Sequence, residues 1–372
     1  MPPPPTQPPL NPPSLAREPR APRKYVGRFA PSPTGRMHLG IARTFLAAWL
    51  DAHAHGGEVR LRFEDIDRPR IVPGAADAIQ RDLAWLGLTW DGPIVWQSDR
   101  ARTDRYVAVL DALARAGRVY PCVCSRREIA LASAPHGPGD EGPRYPGTCR
   151  DPLARQARGA EKPPEPNQTR DQRPVSLRLR TFPSDHVEHQ DRLLNDASQD
   201  VFEAVGDFVL RRADGLFAYQ LAVTIDDLDA QITDVVRGAD LLGSTARQIL
   251  LRRLIAPEAP PLRTLHVPLL LSADGRRLAK RDQDTTIEAL RGDGISIRSE
   301  TSGSSEISGL SGTARITAEV IIGRLAQTLG IHPTGEPASP SALIPAWRVD
   351  RLPTEPAYAL DSLGLRPPAQ RI

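Results

Sequence analysis

Between residues 25 and 116, strand-like and helix-like segments alternate along the chain. Alternating apolar and polar residues are typical of a strand, and apolar residues spaced as on one helix face are typical of an amphipathic helix. Strands that alternate with helices form a parallel sheet through right-handed crossovers. We therefore predict an α/β fold with a doubly wound parallel sheet of the Rossmann type. Its elements are strands at 25–29, 59–63 and 94–96 and helices at 39–53, 75–86 and 103–116.

The regular alternation stops after residue 119. The residues that follow hold all three cysteines and a polar, Pro-rich stretch at 154–174, so we expect an insertion with a flexible segment. Residues 175–180 alternate again, and Asp214-Gly215 between strand-like runs predicts a hairpin turn.

The pattern resumes in the second half of the sheet domain. Residues 221–236 and 265–271 are predicted to be further buried strands, with a helix at 245–255 between them. A last amphipathic helix is predicted at 318–329. Residues 1–22 include ten prolines and few large apolar side chains, a composition that predicts a disordered tail. The predicted domains are that tail (1–22), the first half of the catalytic domain (23–119), the insertion (120–220), the second half (221–272) and a small helical C-terminal region (273–372) with a Ser/Gly-rich, low-complexity stretch at 299–313.

The composition of the 372 residues is that of an ordinary globular protein, with 40% hydrophobic and 25% charged residues. The sequence contains neither an apolar run long enough to cross a membrane nor the apolar region of a secretory signal, so we expect a cytoplasmic protein. The net charge of +3 permits a nucleic-acid partner but does not by itself indicate one.

Residues 28–42, RFAPSPTGRMHLGIA, join the first predicted strand to the first predicted helix. Pro31 and Pro33 fix φ and hold the chain on one path. Gly40 lets a ligand approach a helix N-terminus, which favours phosphate, and His38 can donate a hydrogen bond to a phosphate oxygen. The residues alone fit either a phosphate site or a Pro-rich loop with one surface histidine.

A second basic feature lies at Leu278-Ala279-Lys280-Arg281. Only three of the 48 basic residues are lysine, and this bias favours a specific role for Lys280 over a solvated patch. A basic loop that faces a phosphate site can stabilise the charge that develops on a leaving pyrophosphate. Taken alone, the feature is a weak signal.

Together, these segments resemble the glutamyl branch of the class I aminoacyl-tRNA synthetases. His38-Leu39-Gly40-Ile41 is similar to the HIGH element of that family, and residues 278–281 are similar to its KMSKS loop. Residues 62–67 and 235–240 resemble two further blocks of the branch. The resemblance covers about residues 25–292 and returns weakly around Trp347.

The short C-terminal region and the stretches at 73–76 and 96–98 resemble a shortened paralogue within this branch. The resemblance implies a ligase that activates glutamate with ATP and Mg²⁺ without tRNA and then esterifies it to the queuosine base at the wobble position of tRNA(Asp). We expect a monomer. Two alternatives remain open: a truncated synthetase that charges tRNA(Glu), and a catalytically silent paralogue that binds RNA or a protein partner.

The resemblance also assigns roles to individual residues. It implies a glutamate site formed by Arg28, Ser32, Glu64, Tyr219 and Arg237, in which Glu64 pairs with the α-ammonium group. It implies an ATP site at His38, Gly40 and Lys280, with His38 and Lys280 as the catalytic residues. Two positions depart from the family pattern, Ala279 in place of the KMSKS serine and Ile41 in place of the last HIGH histidine.

The three cysteines lie close together in the sequence, at Cys122, Cys124 and Cys149. An odd, clustered count in a chain without a secretory signal favours metal binding over disulfides. The family resemblance implies one structural Zn²⁺ ion with Tyr145 as the fourth ligand, and His136 is a possible substitute. Ser125 and Glu128 predict a capping box beside the site. The alternative is three buried thiols with Tyr145 in packing.

Overall fold

The computed structural model of the chain describes residues 24–125, 127–129, 144–158, 175–271, 275, 286–292 and 316–358. Several predicted features lie outside these residues. They are the Pro-rich tail (1–22), His136, most of the predicted flexible segment (159–174), the KMSKS-like residues 278–281 and the low-complexity stretch 299–313.

The helices of the described residues begin with the three that the sequence predicts in the first half of the sheet domain. In chain order, the α-helices are α1 (Leu39–Ala54), α2 (Ala75–Trp85), α3 (Arg100–Arg115), α4 (Pro152–Ala157), α5 (Val201–Ala204), α6 (Tyr219–Asp229), α7 (Thr245–Ile255), α8 (Ile287–Gly292), α9 (Ala318–Thr328) and α10 (Pro340–Leu343). Short 3₁₀ turns lie at Arg68–Arg70, Ala239–Ser244, Ile344–Ala346 and Val349–Arg351. No helix among the described residues is both long enough and apolar enough to cross a bilayer.

The strands are short, and most of the longer ones belong to the central sheets. In chain order they are β1 (Val26–Phe29), β2 (Glu58–Phe63), β3 (Val95–Trp96), β4 (Val119–Cys122), β5 (Ser176–Leu179), β6 (His186–Val187), β7 (Gln190–Asp191), β8 (Asn195–Asp196), β9 (Gln199–Asp200), β10 (Val209–Arg211), β11 (Asp234–Gly238), β12 (Arg263–Val267), β13 (Leu270–Leu271) and β14 (Ala357–Tyr358).

Two sheets meet at the centre of the fold. One has the order β1-β2-β3 and is parallel, and the other has the order β11-β12-β7-β8, in which only β8 is antiparallel to its neighbour. They meet at β1 and β11, where the Thr233 N–H donates to the Val26 carbonyl at 2.9 Å. From this junction, successive strands are added in opposite directions, so the predicted doubly wound α/β fold is confirmed and the junction is its switch point.

Helix α1 packs between the sheet and the C-terminal helices. Its predicted apolar face is buried throughout, and the same core takes in residues of α9 such as Ile322 and Leu325. Inside this core lies the carboxylate of Asp51, which accepts hydrogen bonds from the Tyr25 hydroxyl, the Arg192 guanidinium and the Trp347 indole N–H. Because a buried carboxylate must be paired, this cluster fixes the C-terminal region against α1.

The insertion has its own antiparallel sheet of order β10-β5-β4. The predicted capping box is confirmed: the Ser125 N–H donates to Glu128 Oε2 at 2.7 Å, and the Glu128 N–H donates to Ser125 Oγ at 3.1 Å. The predicted turn at Asp214-Gly215 is also confirmed, since Gly215 has φ of 88° and the Arg212 N–H donates to the Leu216 carbonyl.

Two predicted elements were wrong. Residues 221–236 do not form a strand but helix α6 followed by strand β11. Every residue from 221 to 227 is buried, and a segment buried on all sides has no period that separates helix from strand. The predicted strand 265–271 is two strands, β12 and β13, because Pro268 lies between them and cannot donate a ladder hydrogen bond.

Candidate active site

The predicted amino-acid site lies at the junction between β1 and β11. Arg28 is near the carboxyl end of β1, Glu64 directly follows β2, and Arg237 is near the carboxyl end of β11. The Arg28 Nη1 donates across the junction to the Val236 carbonyl at 3.5 Å. Open α/β sheets bind ligands at the carboxyl ends of their strands beside such a switch point. The fold therefore brings these three predicted residues to the edge where a ligand site is expected.

Charged side chains on three elements form a buried cluster beneath this edge. Asp227, on α6, accepts a hydrogen bond from Arg62 Nη1 at 2.6 Å, and its Oδ1 lies 3.5 Å from Arg28 Nε. Arg62 Nη2 donates to Glu64 Oε1 at 3.1 Å. Burial raises the pKa of Glu64, and the charges of Arg62 and Arg28 only partly oppose this. A cation brought next to Glu64 would stabilise its ionised form.

Arg237 is buried and is held by three side chains. Its Nε donates to His266 Nε2 at 3.0 Å, its Nη1 to Gln248 Oε1 at 2.7 Å and its Nη2 to Thr245 Oγ1 at 2.8 Å. Burial lowers the pKa of Arg237, and the charge of Arg28 acts in the same direction. A guanidinium keeps its charge at neutral pH even so, because its ordinary pKa is above 12. An anion that lies between Arg28 and Arg237 would be attracted by both.

Tyr219 is the first residue of α6 and lies beside this group. Burial of its hydroxyl raises its pKa, and the charges of Arg237, Glu64 and Arg28 also act on it. The residue as a whole is nevertheless 37% exposed, so part of the ring faces solvent at the edge of the site. Ser32 lies on an exposed part of the loop after β1, and its carbonyl accepts a hydrogen bond from the Thr34 N–H at 2.8 Å.

His38 forms the N-cap of α1. Its Nδ1 accepts a hydrogen bond from the Ile41 N–H at 3.4 Å, so in the neutral ring Nε2 carries the proton and can donate. The ring packs on Gly40: a Cβ there would lie 3.1 Å from His38 Nδ1. Ile41 is half-buried and packs against the core. This geometry leaves a polar donor and a small residue at the helix N-terminus, as the phosphate interpretation requires.

The described residues on both sides of the KMSKS-like segment lie next to His38. Leu270 on one side is 3.9 Å from where a Cβ of Gly40 would be. On the other side, Thr286 forms an antiparallel bridge with His38, and the Ile287 N–H donates to the Met37 carbonyl at 2.9 Å. The described residues that flank the segment carrying Lys280 therefore lie beside the HIGH-like residues.

The buried residues that pair with the site residues, directly or through one another, were not predicted from the sequence. They are Arg62, Asp191, Asp226, Asp227, Thr245, Gln248 and His266. The available signal was charge within apolar runs, such as Asp226-Asp227 and the single histidine in β12. Such residues are costly to bury unless they are paired, so each of them indicates a partner elsewhere in the sequence.

The three cysteines converge in the insertion. Their Sγ atoms lie within 4.8 Å of one another, close enough to hold one metal ion together. The Tyr145 hydroxyl oxygen lies 3.4 Å from Cys122 Sγ and 3.6 Å from Cys124 Sγ. Burial opposes ionisation of Cys122, but its contact with Tyr145 and the charge of Arg178 outweigh this and hold the pKa of its thiol below the usual value. Burial and the neighbouring thiols of Cys122 and Cys149 instead raise the pKa of Cys124 to about 11, so binding of a metal ion there would release a proton.

A comparison with known protein families matches the part of the chain that contains the predicted site residues. A family described as tRNA synthetases class I (E and Q), catalytic domain, matches residues 24–300. A solved structure with the same architecture is the glutamate-tRNA synthetase from Elizabethkingia anophelis. It aligns with a TM-score of 0.68 and 25% identity, over 92% of this chain and 69% of that one.

Two curated relatives are more similar in sequence. Glutamyl-Q tRNA(Asp) synthetase from Bordetella bronchiseptica is 51% identical over 262 residues, which are 69% of this chain and 75% of that protein. The protein of the same name from Nitratidesulfovibrio vulgaris is 43% identical over 337 residues, 89% of this chain and 94% of that one. The longer of these two alignments therefore extends well beyond the catalytic-domain match.

Proposed function

Because this chain belongs to the class I tRNA synthetases of the E and Q type, a family of ligases, we propose that it activates glutamate with ATP and transfers it to the queuosine base of tRNA(Asp). The name of its curated relatives supports this choice of acceptor. A cytoplasmic location and a monomeric state stay predictions.

The observation that carries the proposal is the charge pattern of the site. Two buried guanidiniums, Arg28 and Arg237, lie near the carboxylate of Glu64, and Arg28 is also 3.5 Å from the buried carboxylate of Asp227. Free glutamate carries two carboxylates and one ammonium group, the complementary set of charges. Guanidinium groups bind carboxylates through forked donors, and Glu64 can pair with the ammonium group. Glutamine, with a single carboxylate, would offer these guanidiniums one negative charge fewer.

The proposed reaction has two steps. First, the α-carboxylate of glutamate attacks the α-phosphorus of ATP, the bond to pyrophosphate breaks, and glutamyl-adenylate forms. A hydroxyl of the queuosine cyclopentene ring then attacks the acyl carbon and AMP leaves. No protein nucleophile is needed, so this chain contributes positioning and electrostatic stabilisation. His38 Nε2 and the Gly40 backbone would face ATP, and Lys280 and the Mg²⁺ that accompanies ATP would offset charge on pyrophosphate.

Two assays test this proposal. The first is ATP–pyrophosphate exchange with glutamate and no tRNA, for which we expect exchange with glutamate and little with glutamine. The second compares queuosine-containing tRNA(Asp), queuosine-free tRNA(Asp) and tRNA(Glu) as acceptors, and only the first should be charged. Charging of tRNA(Glu) alone would support a truncated glutamyl-tRNA synthetase, and absence of exchange would support a silent paralogue.

Lys280→Ala should lower the rate of glutamate-dependent exchange by about 100-fold, the usual cost of removing a group that stabilises developing charge. Lys24→Ala is the matched control, because among the described residues Lys24 forms an exposed ion pair with Glu58. An exchange rate for Lys280→Ala near that of the control would remove Lys280 from the mechanism.

We further propose that Cys122, Cys124, Cys149 and Tyr145 hold one structural Zn²⁺ ion. The donor set fits: in tetrahedral coordination with bonds of about 2.3 Å to sulfur and about 2.0 Å to oxygen, a sulfur and an oxygen ligand lie about 3.5 Å apart. The distances from the Tyr145 oxygen to two of the sulfurs, 3.4 and 3.6 Å, bracket this value. Four protein ligands leave no open position, which is typical of a structural site.

Tyr145→Phe should retain the folded insertion but weaken zinc binding by about 10- to 100-fold, because one of four ligands is lost. Zinc affinity is measured by competition with a chromogenic chelator. Tyr120→Phe is the matched control, since Tyr120 belongs to the same hydrophobic cluster and its hydroxyl donates to Asp207 Oδ2 at 2.6 Å. Equal zinc affinities in the two variants would show that Tyr145 is not a ligand.

A further inference from the structure

Three neighbouring strands bring Asp191, His266 and Arg237 into one row. Strand β12 pairs in parallel with β11 on one side, where His266 lies opposite Arg237, and with β7 on the other, where Thr264 lies opposite Asp191. All three residues of the row are buried, and His266 is completely inaccessible. The row thus runs beneath the sheet edge from β7 to the arginine of the amino-acid site.

The hydrogen bonds along the row have only one consistent direction. Arg237 has no acceptor, so its Nε–H must donate to His266 Nε2, which lies 3.0 Å away. His266 must then be neutral, with its proton on Nδ1, and Nδ1–H donates to Asp191 Oδ2 at 2.6 Å. Burial lowers the pKa of His266, and the charge of Arg237 also favours the neutral ring.

The carboxylate of Asp191 is at the end of the row and accepts several hydrogen bonds. Its Oδ1 accepts the backbone N–H groups of Leu193 and Leu194, both at 3.1 Å. Its Oδ2 accepts the Thr264 hydroxyl at 2.7 Å in addition to His266. Since every one of these partners donates, only a carboxylate satisfies them all, and an amide at this position would put an N–H group against a donor.

We propose that Asp191 and His266 are positioning residues for Arg237. The Asp191 carboxylate fixes the tautomer of His266, and the His266 Nε2 fixes the Arg237 Nε–H, so that the terminal nitrogens keep one orientation toward the amino-acid site. A carboxylate that orients a histidine, which in turn orients the binding group, is a recurrent arrangement in metal and ligand sites. This inference rests on the proposed function, in which Arg237 binds a carboxylate of glutamate.

The test compares two replacements of His266 that match each other in length. His266→Gln keeps an acceptor within reach of Arg237, whereas His266→Met has the same length and a much weaker one. We expect His266→Met to raise the KM for glutamate in the exchange assay by at least about tenfold, with the KM for ATP unchanged. His266→Gln should restore the KM for glutamate to within about threefold of wild type.

A second test of the proposal is the substitution Asp191→Asn. Its amide can donate to His266 Nδ1 and so force the other tautomer, which turns an N–H group toward Arg237. It should therefore raise the KM for glutamate as His266→Met does. The control is Asp185→Asn, another buried carboxylate with several donors, but one paired with Arg118 in the insertion. This control should lower the unfolding temperature without a change in the KM for glutamate.

The inference is overturned if His266→Gln and His266→Met have the same KM for glutamate. It is also overturned if the KM values for glutamate and ATP rise together, because a general loss of structure would affect both. A wild-type enzyme without glutamate-dependent exchange would instead refute the proposed function. In that case, the thermal stabilisation of the two variants by glutamate decides the inference: equal stabilisation of both would overturn it.

Discussion

Replacing Arg237 by lysine should lower kcat/KM for glutamate in ATP–pyrophosphate exchange by about 1,000-fold, which corresponds to about 4 kcal/mol. The guanidinium of Arg237 donates to His266, Gln248 and Thr245 and adds to the positive charge beside Arg28. An ammonium group has three donors on one atom and cannot reach three acceptors that surround a planar fork. The acceptors left behind would be buried without a donor, which is costly in itself.

The control for Arg237→Lys is Arg263→Lys on the adjacent strand. Arg263 is half-exposed and donates to Asp234 Oδ2 at 2.7 Å, at the opposite end of β12 from His266. We expect its replacement to leave both KM values unchanged, because lysine can keep the ion pair with Asp234 and this pair lies away from the amino-acid site. If Arg237→Lys retained more than about a tenth of the wild-type kcat/KM, charge alone would suffice at this position and the forked geometry would not matter.

The sequence contained enough information to predict the residues that face the ligand site. Arg28, Glu64 and Arg237 belong to segments that resemble one family, and that resemblance implied that they share one glutamate site. It did not contain enough information to predict the buried residues that hold Arg237 in place. The contact between Arg237 and His266 depends on the register of β11 against β12, and register is a property of the sheet that neither strand shows alone.

The errors in the fold have a similar origin. Helix α1 was predicted within a residue of its observed end because its apolar residues recur at helical spacing over a segment longer than a typical strand. Helix α6 was predicted as a strand because residues 221–227 are all buried, including Asp226 and Asp227. Two adjacent acidic residues in an apolar run can be buried only if they are paired, and their partners come from elsewhere in the chain. Asp227 pairs with Arg62 and Arg28, and Asp226 accepts hydrogen bonds from Gln97 and Tyr106.

Asp227→Asn should lower the free energy of unfolding by about 3–5 kcal/mol, the range found when one partner of a buried ion pair is removed. Asp227 lies between Arg62 and Arg28, and its loss would leave two buried guanidiniums with too little negative charge. The control is Asp229→Asn on the same helix, whose ion pairs with Arg102 and Arg105 are near the surface. That substitution should cost at most about 1 kcal/mol.

The pH dependence of this difference gives an independent check. Burial opposes ionisation of Asp227, but the charges of Arg62 and Arg28 outweigh it and hold its pKa below the usual value of about 3.9. A folded-state pKa below the unfolded one means that the carboxylate stabilises the protein fully above the unfolded pKa, and that this stability is lost as the pH falls through the folded pKa. Urea unfolding of wild type and Asp227→Asn at pH 7 and at pH 3 should therefore give a smaller difference at pH 3. An equal difference at both pH values would mean that Asp227 acts through packing and hydrogen bonds, and then Arg62 would owe its position to Glu64 and Asp226 instead.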